Sequence, residues 1–310
     1  MASLGPNMTA PAHHQDSDGA ASVVPSASSS QLDYSKVQAY WKQAKPSILG
    51  PYMMDGFGFP ASAGRFRFRR EQDTVARALT SLPSECSVLD LGSGVGFWTE
   101  YFAHRFAHVV SVEASPVLYS SLSDRCSRYP NVTTINGDAL AFEPQEKFGL
   151  VFLGGLLMYL NEQDALMLLE RLAPSLEEGA LILCRESTVR RRTKTLQAEY
   201  QVVYRSVETY RRIFADADFN VVSAEPNAAY ICSQMGCELV KKWKSLVPEQ
   251  FWCLPVIGRM AYWAFRLGYP WNTRVIPRLV AMIGGEFPCL TNHFFVLRAR
   301  CPDETCRSTT

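Results

Sequence analysis

Three acids, Asp90, Glu113 and Asp138, stand at or just past the ends of successive short apolar runs. A cluster of glycines, Gly92, Gly94 and Gly96, follows the first of them. Glycines let a chain turn sharply and let a ligand approach the backbone closely. The spacing is D-x-G-x-G-x-G. A dinucleotide fingerprint would need a third glycine at position 97, which is Phe97, and no Gly-Lys-Ser/Thr for triphosphates follows. An acid directly before such a turn suits a ligand with a cationic amine. Glu113, 21 residues after Gly92, can accept both hydroxyls of a ribose. Asp138, in "NGDA", can accept from the exocyclic amine of a base. The three acids together describe a nucleoside that carries an amino-acid-like cation and no phosphates.

The elements that must position these residues alternate along the chain. Strand "SVLDL" leads to helix "WTEYFAHRF", strand "HVVSVEA" to a helix over 116–129, and strand "VTTINGDA" to a short link. Strand "LVFLGG" then leads to helix "EQDALMLLERLAPSL", where Ala165, Leu168, Leu169 and Leu172 share a face. Strand "ALILCRE" passes through a basic link to helix "SVETYRRIFADA", and strand "NVVSAEP" follows. Short apolar strands alternating with amphipathic helices predict an α/β fold, a parallel sheet covered by helices on both faces. Ligands bind such sheets at the carboxyl ends of the strands.

In these residues the chain resembles the class I S-adenosylmethionine-dependent methyltransferases, over roughly residues 87–226 and again at "NHFFVLRAR". The resemblance implies a Rossmann-like seven-stranded sheet whose last strand is antiparallel, with S-adenosyl-L-methionine as cofactor. Carried over by position, Asp90 and the Gly92–Gly96 turn hold the methionine part and Glu113 the ribose. Asp138 stands at the adenine amine with Ala139 and Leu140 beside it. The stretch "FLGGLLMYL", with Gly154, borders cofactor and substrate.

The acceptor is less legible. Methyl transfer needs an in-line nucleophile, close packing and exclusion of water, and alignment supplies much of the rate. No metal-binding set is evident, and position 154 onward reads Gly-Gly-Leu-Leu instead of the Asn/Asp-Pro-Pro-Tyr/Phe of amide and adenine N-methyltransferases. Tyr159 would orient a substrate lone pair or line an ammonium site. At the end of the fifth strand, Glu186 would bind a substrate amine and Arg185 a carboxylate or phosphate. Tyr204 and Arg205 are further substrate candidates, with Tyr204 and Arg211 seven apart and on one face if the helix starts early. These features predict methylation of N, S or O in a small molecule. A protein or peptide end is the alternative acceptor, and a non-catalytic or membrane-surface protein the alternative class.

Around this core, a tail over 1–31 has no periodicity and is expected to be disordered. Residues 32–80 are expected to form a cap segment. It holds a short helix, an aromatic glycine-rich loop with Tyr52, and an extended "RFRFR" that places Arg65, Arg67 and Arg69 opposite Phe66 and Phe68 before a helix starts near Glu71. The core proper spans 81–230. Residues 231–288 form a helical insertion rich in Trp, Tyr and Arg, in which Trp263 is a candidate cation–π contact to substrate. A final strand covers 289–300 and a loose tail 301–310.

The insertion is basic as well as aromatic, so contact with an anionic membrane is a second expectation for it, weakened by Pro255, Pro270 and Pro277. Composition narrows the classes further. A net charge of +1 argues against a nucleic-acid partner, and nine cysteines without metal-ligand spacing indicate a reducing compartment. The longest apolar candidate, residues 148–161, is too short to span a bilayer, and no secretory signal is read at the N-terminus. These features predict a cytoplasmic enzyme without a metal site.

Overall fold

The computed structural model describes residues 31–44, 54–198 and 200–300. The expected tails and Tyr52 lie outside them.

Five strands alternate with helices as the apolar periodicity requires. They are β1 (Ser87–Leu91), β2 (His108–Glu113), β3 (Val132–Asn136), β4 (Phe148–Leu153) and β5 (Leu176–Val189). Between them run α3 (Phe97–Ala103), α4 (Pro116–Cys126) and α5 (Glu162–Leu172). After β5 come β6 (Lys194–Gln197), β7 (Gln201–Ser206), α6 (Val207–Asp216) and β8 (Phe219–Pro226), and the chain returns as β9 (Thr291–Ala299). The sheet runs β3-β2-β1-β4-β5, all parallel. β9 then lies antiparallel between β5 and β8.

The buried strands are apolar on both faces, because helices cover both. One face packs Leu89, Val151, Ile182 and Phe295 against α5 and α6. The other packs Val88, Leu150, Phe152 and Val296 against Val75, Trp98 and Phe102.

The structure departs from the sequence reading in the link before α6 and in the segment before Glu71. The basic link before α6 contains the antiparallel β6–β7 hairpin, and β7 joins the end of β5 at Thr188–Arg205 and Val189–Ser206. Tyr204 is therefore a strand residue and shares no helix face with Arg211. "QVVYRS" is β-branched and aromatic, and each of its residues is buried, so packing favours a strand. The segment expected to be extended over Arg65–Arg69 is helical from the start, in α2 (Ser62–Ala78). Its buried stripe is Ala63, Arg67, Glu71 and Val75. Two of these four are charged, so hydropathy hides the 3.6-residue period.

Those charges are buried because they are paired. Glu71 accepts from Arg67 (2.9 Å), Arg185 (2.7 Å) and Asn227 (2.7 Å), and so ties α2 to β5 and to the start of α7 (Ala228–Leu246).

The cap joins chain from both ends. Met54, Phe57 and Phe59 pack with Cys237 and Val240 of α7 and with Ala261 and Tyr262 of α8 (Leu254–Arg266). The crossing is at backbone contact. A Cβ on Gly258 would lie 2.0 Å from the Phe57 carbonyl oxygen. The insertion is divided into short helices, with Pro255 and Pro270 at the breaks. Pro255 sits in the first turn of α8, Pro270 precedes α9 (Trp271–Met282), and Pro277 lies inside α9. α7 begins at Ala228, across the boundary expected at 230. Among the described residues no helix is long and apolar enough to cross a membrane.

Candidate active site

β1 lies between β2 and β4 and delivers Asp90 and the glycine turn to the carboxyl edge of the sheet. Gly92, Gly94 and Gly96 all have left-handed φ (78°, 59° and 83°), which L side chains adopt only under strain. The amides of Gly92 and Ser93 donate to the Val112 carbonyl (2.9 and 3.1 Å), and the Gly96 amide donates to the Ser93 carbonyl (3.1 Å). From α4, Arg125 donates to the Val95 carbonyl (2.8 Å), pairs with Glu100 (3.1 Å) and lies over the Phe97 ring at 3.8 Å. A Cβ at Gly94 would meet nothing within 4 Å. Backbone conformation, not crowding, therefore requires glycine there, and the space beside it is open to a ligand.

Asp90 is buried and accepts from the Thr99 hydroxyl (2.6 Å) at the start of α3. Burial pushes its carboxyl up to about 7, the Thr99 hydrogen bond opposes this, and the Glu113 charge adds to it. The two acids are thus close enough to feel each other. Glu113 ends β2 and accepts from the amides of Gly94 and Ser115, both at 2.8 Å, one on each oxygen. Burial raises its pKa against the pull of those amides. Each carboxylate oxygen has two lone pairs, so one on each remains for a further donor. Asp138 is exposed and accepts from the Leu140 amide (2.9 Å), which shapes its own turn and leaves Ala139 buried. Gly154, with Gly155 at φ +91°, turns the chain out of β4. This brings the Leu156 side chain within 3.3 Å of where a Gly92 Cβ would lie.

The residues expected to meet an acceptor divide between two faces, because neighbours in a strand point opposite ways. Glu186 is fully buried under the turn after β4. Its oxygens accept from the amides of Leu157 (3.0 Å) and Met158 (3.3 Å), with the Tyr210 hydroxyl at 3.4 Å. Burial lifts its carboxyl to about 7, opposed by the Leu157 amide and the Arg205 charge. Arg205 grips the same turn from its carbonyls, donating to Leu157 (2.8 Å) and Leu160 (2.6 Å). Arg185 points to the other face, into the Glu71 cluster.

The turn braced by Glu186 and Arg205 carries Tyr159, whose hydroxyl bonds that of Tyr200 at 2.7 Å. Trp41 meets the Tyr159 ring edge-on at 5.2 Å, and Tyr40 lies 4.9 Å from Tyr200. Tyr204 is buried beside Met158 and Tyr159. Burial raises the Tyr159, Tyr200 and Tyr204 phenols above their ordinary value.

Tyr40 and Trp41 come from α1 (Tyr34–Lys42), which crosses the sheet edge. The Ser115 hydroxyl donates to the Trp41 carbonyl (2.8 Å), so α1 spans from the Glu113 side to the tyrosines. The sequence reading missed Tyr40, Trp41, Tyr200 and Arg125. Its one usable signal was the aromatic density of 34–41, without any indication of where that helix docks. Trp263 is half-exposed on α8 against Tyr262, and the structure does not bring it to the tyrosines. A separate cavity of about 680 Å³, lined by Arg190, Ser206, Thr209, Thr273 and His293, holds none of the three acids.

Residues 88–179 match the family model described as a methyltransferase domain. Phosphoethanolamine N-methyltransferase 1 of Triticum aestivum is 26% identical over 187 residues, 58% of this chain and 36% of that protein. An rRNA adenine N-6-methyltransferase of Saccharopolyspora erythraea is 37% identical over 87 residues, 27% of this chain and 23% of that protein. The chain thus spans about a third or less of these curated relatives. A Leishmania major SAM-dependent methyltransferase superposes with a TM-score of 0.54 at 18% identity, covering 63% of this chain and 76% of that one. The cyclase SpnF superposes with a TM-score of 0.51 at 15% identity, covering 86% and 92%. At these identities the solved structures show the fold alone.

Residues 88–179 thus carry a methyltransferase domain, and the strand order around it is the fold of the class I S-adenosylmethionine-dependent methyltransferases. S-adenosylmethionine is the cofactor of that class, and the residues present fit it. The open left-handed Gly94, the spare lone pairs of Glu113 and the buried Asp90 would take the amino-acid and ribose parts, with Ala139 at the base. The family match includes Tyr159 but leaves out α1 and α2 before it and Glu186, β7 and the insertion after it.

Proposed function

We propose that the chain transfers a methyl group to a nucleophilic atom of a small molecule, and that this atom is the nitrogen of an amine. The observation that carries the reading is the aromatic cluster that Tyr40 and Trp41 of α1 form with the half-buried Tyr159 and Tyr200 and the buried Tyr204, bonded through Ser115 to the strand end that holds Glu113. Aromatic faces hold an ammonium group by cation–π attraction. Phenols raised above their ordinary pKa stay protonated at neutral pH, so they orient a lone pair by hydrogen bonding and are poor bases.

S-adenosylmethionine, when bound, supplies the electrophilic methyl group. The chain contributes alignment and exclusion of water. Tyr159 and Tyr204 contact the acceptor. Glu186 and Arg205 act through the turn they brace and are positioning residues. Arg185 holds β5 to α2. The phosphoethanolamine methyltransferase match runs over 187 residues and supports an amine, whereas the rRNA methyltransferase match covers only 87.

The test begins with calorimetric titration of S-adenosylmethionine into wild type and Glu113→Ala. One-site binding is expected, weakened about thirtyfold or more by loss of two charge-assisted hydrogen bonds. Label transfer is then measured onto phosphoethanolamine and other small amines, thioethers, phenols, peptides and RNA. Amine methylation that falls in Tyr159→Phe supports the proposal. Absence of cofactor binding by the folded chain, or methylation confined to peptide or RNA, overturns it.

A further inference from the structure

The described residues expose fifteen large apolar side chains, and eleven of them fall between Leu246 and Ile283. Their spacing is helical. Val256, Met260, Trp263 and Leu267 form one stripe along α8, while Gly258, Ala261 and Tyr262 on its opposite face pack into the cap. Trp271, Val275, Leu279 and Met282 form a second stripe along α9, opposite the buried Thr273 and Pro277. Neither stripe is used by the cofactor turn or the tyrosine cluster. Soluble proteins rarely leave so many large apolar side chains exposed on two touching helices without a partner.

Charge says what the partner is. From position 250 to 285 there is no acid; Arg259, Arg274 and Arg278 are exposed beside the stripes, and Arg266 is stacked over the Phe66 ring at 3.9 Å. Among the described residues no carboxylate pairs with any of these four. A second copy of the chain would bring the same acid-free, arginine-rimmed face against its own image, so like charges would meet. An anionic bilayer supplies both missing complements: acyl chains for the stripes and headgroup charge for the arginines. Trp263 and Trp271 are of the type that settles at headgroup depth.

We infer that α8 and α9 lie together in the interface of an anionic membrane and dock the chain there as a monotopic protein. Docking of this kind needs neither cofactor nor turnover, so its test is independent of the proposed reaction. The full chain is floated with phosphatidylcholine–phosphatidylserine vesicles and with pure phosphatidylcholine vesicles, at low and high salt. Two variants are run beside it. Leu267→Gln/Met282→Gln/Ile283→Gln alters side chains that are 80%, 81% and 85% exposed, and Arg274→Gln/Arg278→Gln removes two rim charges.

The expected result is salt-sensitive binding to the anionic vesicles. It should fall about tenfold or more in the arginine variant and be lost in the apolar variant, with unfolding transitions unchanged. Three results would overturn the inference: no binding by the folded chain at low salt, binding indifferent to both variants, or a dimer in solution abolished by the apolar variant with no vesicle binding.

Discussion

Replacing Glu186 by Gln tests whether burial or the surrounding donors control that carboxyl. Glu186 has no exposure and is lifted from 4.5 to about 7. That shift corresponds to about 3 kcal/mol between the folded and unfolded proton affinities. Because the folded value is the higher one, the folded chain holds this proton more tightly. The associated stability is fully present below pH 4.5 and is lost as pH rises through 7.

Gln is nearly isosteric with the protonated acid and does not titrate. Wild type and Glu186→Gln should therefore be close in stability at pH 5, apart from a cost of about 1 kcal/mol for presenting an amide N–H₂ to the Leu157 or Met158 amide. Between pH 5 and pH 8 the wild type should lose about 2–3 kcal/mol relative to the variant. Urea unfolding of both proteins at several pH values gives the difference directly, and other titrating groups cancel. A difference that stays flat, or that moves in favour of the wild type with rising pH, would refute the reasoning. It would mean that the two amides and Arg205 outweigh burial.

Arg125→Ala removes the clamp on the Val95 carbonyl and the cover on Phe97, and should weaken S-adenosylmethionine binding about tenfold in calorimetry while leaving the fold intact. Gly258→Ala drives a Cβ to 2.0 Å from the Phe57 carbonyl oxygen, so the cap should loosen at a cost of about 1–3 kcal/mol. Hydrogen exchange should show it in 54–63 and α8 before it appears in the sheet. Glu71→Ala leaves Arg67 and Arg185 buried without their shared carboxylate and should lower global stability by about 3–5 kcal/mol in urea titration.

The acids and glycines were legible because their roles are local. A left-handed turn after a strand needs glycine, and an acid at a strand end faces the ligand edge of the sheet whatever the remote packing. The alternating strands were legible for the same reason. What sequence could not show were arrangements set by distant partners. The stripe of α2 contains Arg67 and Glu71, and only the approach of Arg185 and Asn227 from elsewhere makes their burial tolerable. Arg185 and Glu186 read alike as charges at a strand end. Their fates separate once the Leu157 turn covers one face and α2 the other. The β6–β7 hairpin was hidden by the basic residues that precede it.

The placement of β9 fixes an order of events in folding. β8 pairs only with β9 among the described strands, and β9 also seals the edge of β5. Leu183 waits for Val296, roughly a hundred residues later, and α7, α8 and α9 must all be made in between. During synthesis β5 therefore stays an open strand edge while the α8–α9 stripes are already exposed. Pairing over such separations is slow, and open edges invite other chains. The nascent chain is at its most vulnerable just before β9 arrives, so slowing that arrival should increase aggregation.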